Sequence, residues 1–166
     1  MKKLILIIAI VALCCTPANA ILAKYWRLRV QSGSAMETLS FAETATVAVR
    51  CMPWKFTSGA LVYGTVITDD FGFDSTDTIV AGGEVESTVV DNSSNLYLGI
   101  KGYFEVKCDL VTTGTMYLWL EESDDNTNWP SDTGNEFDVD EDLKFLCAMS
   151  ISSDAVDEKR GINFEF

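Results

Sequence analysis

The chain contains no histidine among its 166 residues. That excludes Ser-His-Asp and Cys-His nucleophilic sites and the usual zinc ligand sets, because each needs an imidazole that titrates near neutrality or binds metal as the neutral base. Proline is scarce, at three residues, and Pro53 is expected to end the strand it stands in. Cations are few: 12 Lys and Arg face 25 Asp and Glu, a formal net charge of −13. Such a chain repels phosphate backbones and anionic lipid, so nucleic acid and membrane surfaces are not its expected partners. The simplest use of the charge is to keep the protein dispersed. Helical periodicity is also missing, with room for no more than a turn or so at Ala35–Glu43 and Asp154–Arg160. There is no internal repeat and no low-complexity linker.

One long apolar run is present, and it comes first. Lys2 and Lys3 precede Leu4 to Cys15, and Ala18-Asn19-Ala20 follows. That is the layout of a secretory signal peptide, which predicts an extracellular or periplasmic address. The run is shorter than the roughly 20 residues that cross a bilayer comfortably. Only if residues 4–16 stay uncleaved, as a hydrophobic helix, would the chain be held in a membrane. Leu13 before Cys14 argues against a lipoprotein. Cleavage after Ala20 would remove 20 of 166 residues, leave 146 and take the formal charge from −13 to −15. That length suits one domain, residues 21–166, with a real hydrophobic core. Of the five cysteines, Cys51, Cys108 and Cys147 then remain. An odd count permits at most one internal bridge. Cys108 and Cys147, both inward on their strands, are the candidate pair; buried free thiols are the equally ordinary alternative.

The rest reads as strands. In Gly102 to Leu110, Phe104, Val106, Cys108 and Leu110 share one face, a strand buried on one side. Met116 to Leu120 is apolar at every position, as in a strand covered on both faces. The Thr112-Thr113-Gly114 turn between them signals a hairpin. Alternation also puts Trp26, Leu28 and Val30 inward with Tyr25, Arg27 and Arg29 outward; Val47, Val49 and Cys51 inward; and Leu143, Phe145, Cys147, Met149 and Ile151 inward. Leu61–Thr68, Val85–Val90 and Leu96–Ile100 are further strands, and Ile162, Phe164 and Phe166 stitch the last one into a sheet. Eight to ten short strands punctuated by turn residues predict an all-β fold, an antiparallel β-sandwich of jelly-roll or immunoglobulin-like kind.

The most pointed local signal is the acidic loop Asp124 to Asp132. Asp124, Asn126 and Asn128 are spaced one, three, five, as hard-cation oxygen ligands often are, which makes Ca²⁺ the one cofactor to consider. Trp129 stands where such a loop needs Gly, however, and Asn135 where it needs a bidentate Glu. The alternative is a solvated turn rich in Asx residues. Trp129, with Asp125 and Asp132 beside it, could stack on a sugar ring, joined by Trp54 or Phe71. A Trp before a proline at a strand end also caps cores. Asn92-Ser93-Ser94 fits a glycosylation acceptor. The many acids keep two-carboxylate glycoside hydrolysis formally open, against the simpler reading of solvated surface charge.

Two stretches carry a resemblance. Ala81-Gly82-Gly83-Glu84-Val85-Glu86-Ser87 with Val90 to Tyr97, and Gly114 to Pro130 with its strand, Glu-x-Ser, Asp-rich loop and Trp-Pro, resemble segments of small structural proteins of tailed bacteriophages. Lys159 to Phe164 is similar to their last strand. The match covers about residues 80–166 and rests on turn-and-strand signatures. It implies a virion surface or tail-associated β-sandwich with a structural or adhesive role and no enzymatic activity. The first expectation is therefore a structural protein that assembles with copies of itself or a larger surface structure, its strand at Ala23–Gln31 placed to complete a neighbour's sheet by edge addition. The second is a secreted carbohydrate-binding or adhesin module, reading glycans through Trp129, with or without Ca²⁺.

Overall fold

The computed structural model describes residues 22–34, 36, 38–40, 46–67, 73, 78–108, 112–127, 129, 143–153 and 158–166. The expectations for residues 1–20, for the 69–72 side of the Phe71 loop, and for Asn128 and Asp132 lie outside them. The described chain is all-β and almost wholly antiparallel. Its strands are β1 (Tyr25–Ser32), β2 (Leu39–Ser40), β3 (Thr46–Thr57), β4 (Ala60–Tyr63), β5 (Thr78–Ile79), β6 (Glu84–Glu86), β7 (Val90–Asp91), β8 (Gly99–Cys108), β9 (Thr112–Ser123), β10 (Leu143–Ser153) and β11 (Glu158–Glu165). One sheet, A, runs β10-β9-β1-β6, with β7 also on β1. The other, B, runs β11-β8-β3-β2-β5, with β4 also on β3. A parallel pairing joins β2 to β3 at Ser40 and Thr46.

The period-two faces close on one hydrophobic core. Trp26, Leu28, Val30, Met116, Leu118 and Leu120 come to it from sheet A, and Val49, Ile100, Phe104 and Val106 from sheet B, all fully buried. Trp26 alone, on a typical scale, contributes about 3–5 kcal/mol against its truncation to Ala. Phe164 is buried and Ile162 and Phe166 pack against the same core, so the last strand is stitched in as its alternation predicts.

Four expectations are corrected. The stretch read as a hairpin is not one: β8 pairs with β3 and β11 while β9 pairs with β1 and β10, so the chain crosses between sheets. Each strand has one apolar face, and each buries it in the shared core. β1 is no donor strand, because β9 flanks it on one side over its whole length and β6 and β7 occupy the other. Phe145 points outward at 54 % exposure, because the register shifts between Phe145 and Cys147. One extra residue in an alternating run moves a side chain to the other face. Finally, β3 continues through Pro53. The Cys51 N–H donates to Ile67 on that edge and the Gly64 N–H to the Pro53 carbonyl. Between them Thr65 and Val66 lie outside the ladder, so the missing proline N–H costs no bond.

Smaller differences follow from short pairings. Val85–Val90 is split into β6 and β7, with Ser87 between them; its N–H donates to the Leu28 carbonyl and its Oγ accepts from the Leu28 N–H. Leu61–Thr68 keeps only β4 and a bridge from Ile67 to Cys51. Cys51, Cys108 and Cys147 are buried thiols, and the Cys108–Cys147 bridge is not formed. Cys108 lies on β8 in sheet B and Cys147 on β10 in sheet A, and their thiols stay separate within the core. Burial pushes the Cys51 thiol up to about 12 and the Cys147 thiol up to about 11. Neither is a thiolate near neutral pH, and a protonated thiol is a poor nucleophile.

Candidate functional site

One end of the molecule collects most of the unusual features. Tyr25 pairs with both Asp91 and Ser123 there. The Asn92 N–H donates to the Lys24 carbonyl, Leu22 N–H to the Leu98 carbonyl, and Leu98 N–H to the Trp54 carbonyl. The starts of β1, β8 and β10, the end of β9 and the end of β11 therefore share this pole with β3 and β4.

From it projects a β-hairpin. β3 stops pairing with β8 at Trp54 and Gly99 and pairs with β4 from Trp54 to Thr57. Ser58 and Gly59, at φ 53° and 81°, make the two-residue turn. Positive φ at both positions is the type I′ signature, whose twist matches the strands it joins. Every residue of β4 is exposed. Phe56 is 60 % exposed, Leu61 46 %, Tyr63 42 % and Val66 49 %. Among the described residues β4 pairs only with β3, and Ala60 to Gly64 bears neither charge nor proline. An apolar, unguarded edge of this kind is what proteins normally blunt.

The hairpin and the strand leading into it are also free of acids in an acidic chain. Thr46 to Ile67 holds Arg50 and Lys55 and no acid. The Lys55 ammonium donates to the Asn95 carbonyl at 2.6 Å and lies 5.3 Å from the centre of the Tyr97 ring. Lys101 sits 3.9 Å from the centre of the Tyr63 ring and opposite Glu165 in the ladder. Beside the hairpin, on the outer side of sheet B, is a shallow groove of about 630 Å³ whose lining includes Arg50, Met52, Lys101, Tyr103, Asn163 and Glu165.

The outer face of sheet A is different. Register places Arg27 beside Glu121, Arg29 beside Trp119 and Glu86, and Gln31 beside Tyr117 and Glu84. Glu121 is fully buried. It pairs with the Arg27 Nε and lies 2.8 Å from the Arg29 Nε. Glu86 bridges the same two arginines at 2.6 and 2.8 Å, and Glu84 adds a contact to Arg29 at 3.5 Å. Burial raises the Glu121 pKa, opposed by the charges of Arg29 and Arg27. Burial also works against the Arg29 charge, but the Glu86 hydrogen bond and the Glu121 and Glu84 charges outweigh it, and its pKa rises. Two guanidinium groups thus hold a carboxylate that would otherwise be untenable out of water.

Next to this network runs an aromatic strip. Tyr117 and Trp119 are near-parallel with ring centres 6.5 Å apart, and Phe145 meets Trp119 edge-on at 5.2 Å. Met116–Leu120 is therefore not covered on both faces: Tyr117 and Trp119 are only half-buried.

The acidic loop behaves as a turn. The Thr127 N–H donates to the Asp125 carboxylate at 2.8 Å, and the Asn126 N–H donates to Ser123 Oγ. Asn126 has φ 61°, which Asn tolerates well. Asp124 and Asn126 are exposed. Among the described residues no group of three or more His, Cys, Asp or Glu side chains is placed to hold a metal ion. Trp129 is half-buried with its ring 4.5 Å from the Arg27 guanidinium, so it roofs the ion network. It does not join Trp54, which stands on sheet B with its ring edge against Phe56. Asn92 is buried and its amide nitrogen faces the Leu22, Ala23 and Tyr97 carbonyls, while its oxygen accepts the Tyr97 N–H. It ties three segments of the pole together and does not present a glycosylation acceptor.

Sequence reasoning missed the ion network and the aromatic strip. Signals for both existed: Arg27 and Arg29 were legible as outward, and Tyr117 and Trp119 alternate with Met116, Leu118 and Leu120. Which strands lay alongside was not legible. No family model matches this chain, nor does any curated protein or solved structure.

Proposed function

We propose that this protein is a non-enzymatic structural element of an extracellular or virion surface assembly, a β-sandwich of jelly-roll or immunoglobulin-like kind that docks through its projecting hairpin. The observation that carries this reading is the exposed apolar edge from Ala60 to Tyr63, backed by Phe56. Nothing in the two-sheet body requires a hairpin to extend past the core, and exposing it to water costs the burial its side chains would otherwise gain. Association restores that burial. Native mass spectrometry of the concentrated protein should give masses above one copy. Phe56→Ser, Leu61→Ser and Tyr63→Ser together should return it to one copy with an unchanged circular dichroism spectrum. A wild-type protein that stays at one copy overturns the reading.

A second reading, a carbohydrate-binding or adhesin module, is favoured by the Tyr117–Trp119–Phe145 strip. Gln31 shares the row of Tyr117, and Thr115 and Ser150 pair in the next row on the same face, while Arg29 stands beside Trp119. Half-exposed rings beside uncharged polar groups suit sugar rings, which pair an apolar face with hydroxyls. On this reading Trp119→Ala should weaken binding to an immobilised glycan about tenfold or more. Absence of any glycan-array signal from the intact protein removes it.

A further inference from the structure

We infer that the hairpin's partner is the acidic half of the same pole on a second copy, giving a closed two-fold dimer; this rests on the docking role proposed above. The pole is divided by charge. Its sheet B half carries Lys55 and Lys101, with Glu165 opposite Lys101 and Arg50 further along β3 on the far side of the groove. Its sheet A half carries exposed Asp91, Asp124 and Asp125, with Lys24 beside Asp91 and Lys144 paired to Glu122. The apolar hairpin residues belong entirely to the cationic half.

A two-fold axis at this pole sets each half against the other half of its mate. Residue i then meets residue j, and j meets i, so every cation–acid contact is made twice and the surface is self-complementary. The Asp124–Asp125 turn of one copy seats at the groove between Arg50 and Lys101 of the other, and the two hairpins are covered together. Elsewhere a chain of net charge −13 repels its own copies. This pole is where that repulsion reverses. A head-to-tail contact would leave one hairpin and one acidic turn unmatched at the ends of every filament, whereas the two-fold arrangement closes.

The test uses two charge-reversed full-length proteins, Lys55→Glu/Lys101→Glu and Asp91→Lys/Asp124→Lys, in sedimentation velocity at low and high salt. Each alone should dimerise about tenfold or more weakly than wild type. Mixed in equal amounts they should form a heterodimer close to wild-type strength, because both contact sets are restored at once. Wild-type dimerisation should weaken with salt. Association that ignores the charge reversals, a mixture that does not recover, or growth into open polymers overturns this inference while leaving the hairpin's docking role standing. A wild-type protein that is monomeric throughout overturns both.

Discussion

At about pH 11 the protein should be roughly 5 kcal/mol less stable than at about pH 8, on linkage of two buried thiols alone. An ordinary thiol starts from about 9.0, whereas Cys51 is pushed up to about 12 and Cys147 up to about 11 by burial. In that window the unfolded chain loses both protons and the folded chain keeps most of them. The folded state binds more protons, so stability falls as pH rises. The contribution is fully present below the ordinary thiol range and is lost as pH climbs through it. Urea titrations at a series of pH values would read this directly. The double variant Cys51→Ala/Cys147→Ala should be weaker at neutral pH, from the cavities it leaves, yet lose about 5 kcal/mol less between the two pH values. Equal pH dependence in variant and wild type would refute the assignment.

Removing one arginine from the buried network should be nearly as costly. Arg29→Met leaves Glu121 out of water with only Arg27 against it, and the expected loss is about 3–5 kcal/mol. For a domain of this size that corresponds to about 2–4 °C of melting temperature per kcal/mol. Arg29→Met combined with Glu121→Leu should recover much of the loss, because two apolar side chains of similar volume do not need the network. If Arg29→Met costs less than about 1 kcal/mol, water reaches Glu121 and the network is superficial.

What could be read from the sequence follows the reach of each signal. Alternation is local, and it placed Trp26, Leu28, Val30, Val49, Phe104, Val106, Met149 and Phe164 on the core side, where they are. Sheet membership is not local. The run from Gly102 to Ser123 has the apolar pattern of a hairpin, and nothing in it states that its two strands join different sheets. Phe145 failed for a related reason: an inserted residue in β10 is invisible until the facing strand fixes the register. The candidate site suffered most. The Asp124–Asp132 loop drew notice by composition, yet Asp125 and Ser123 accept N–H groups of the loop itself and hold it as a turn. The hairpin drew little, because Leu61–Thr68 reads as an ordinary strand. Exposure, the property that makes it a docking candidate, is set by where β8 begins.

The central place of β1 bears on how the protein comes to be folded. Arg27 meets Glu121 across 94 residues of sequence, and at roughly 5–20 residues per second a ribosome needs about 5–20 s to supply that partner. Until β9 emerges, the first strand has only β6 and β7 to lean on, and the six residues of sheet A's innermost buried set cannot assemble. Pairings this distant in sequence make for slow folding. Sheet A is therefore completed only once the last third of the chain has begun to emerge.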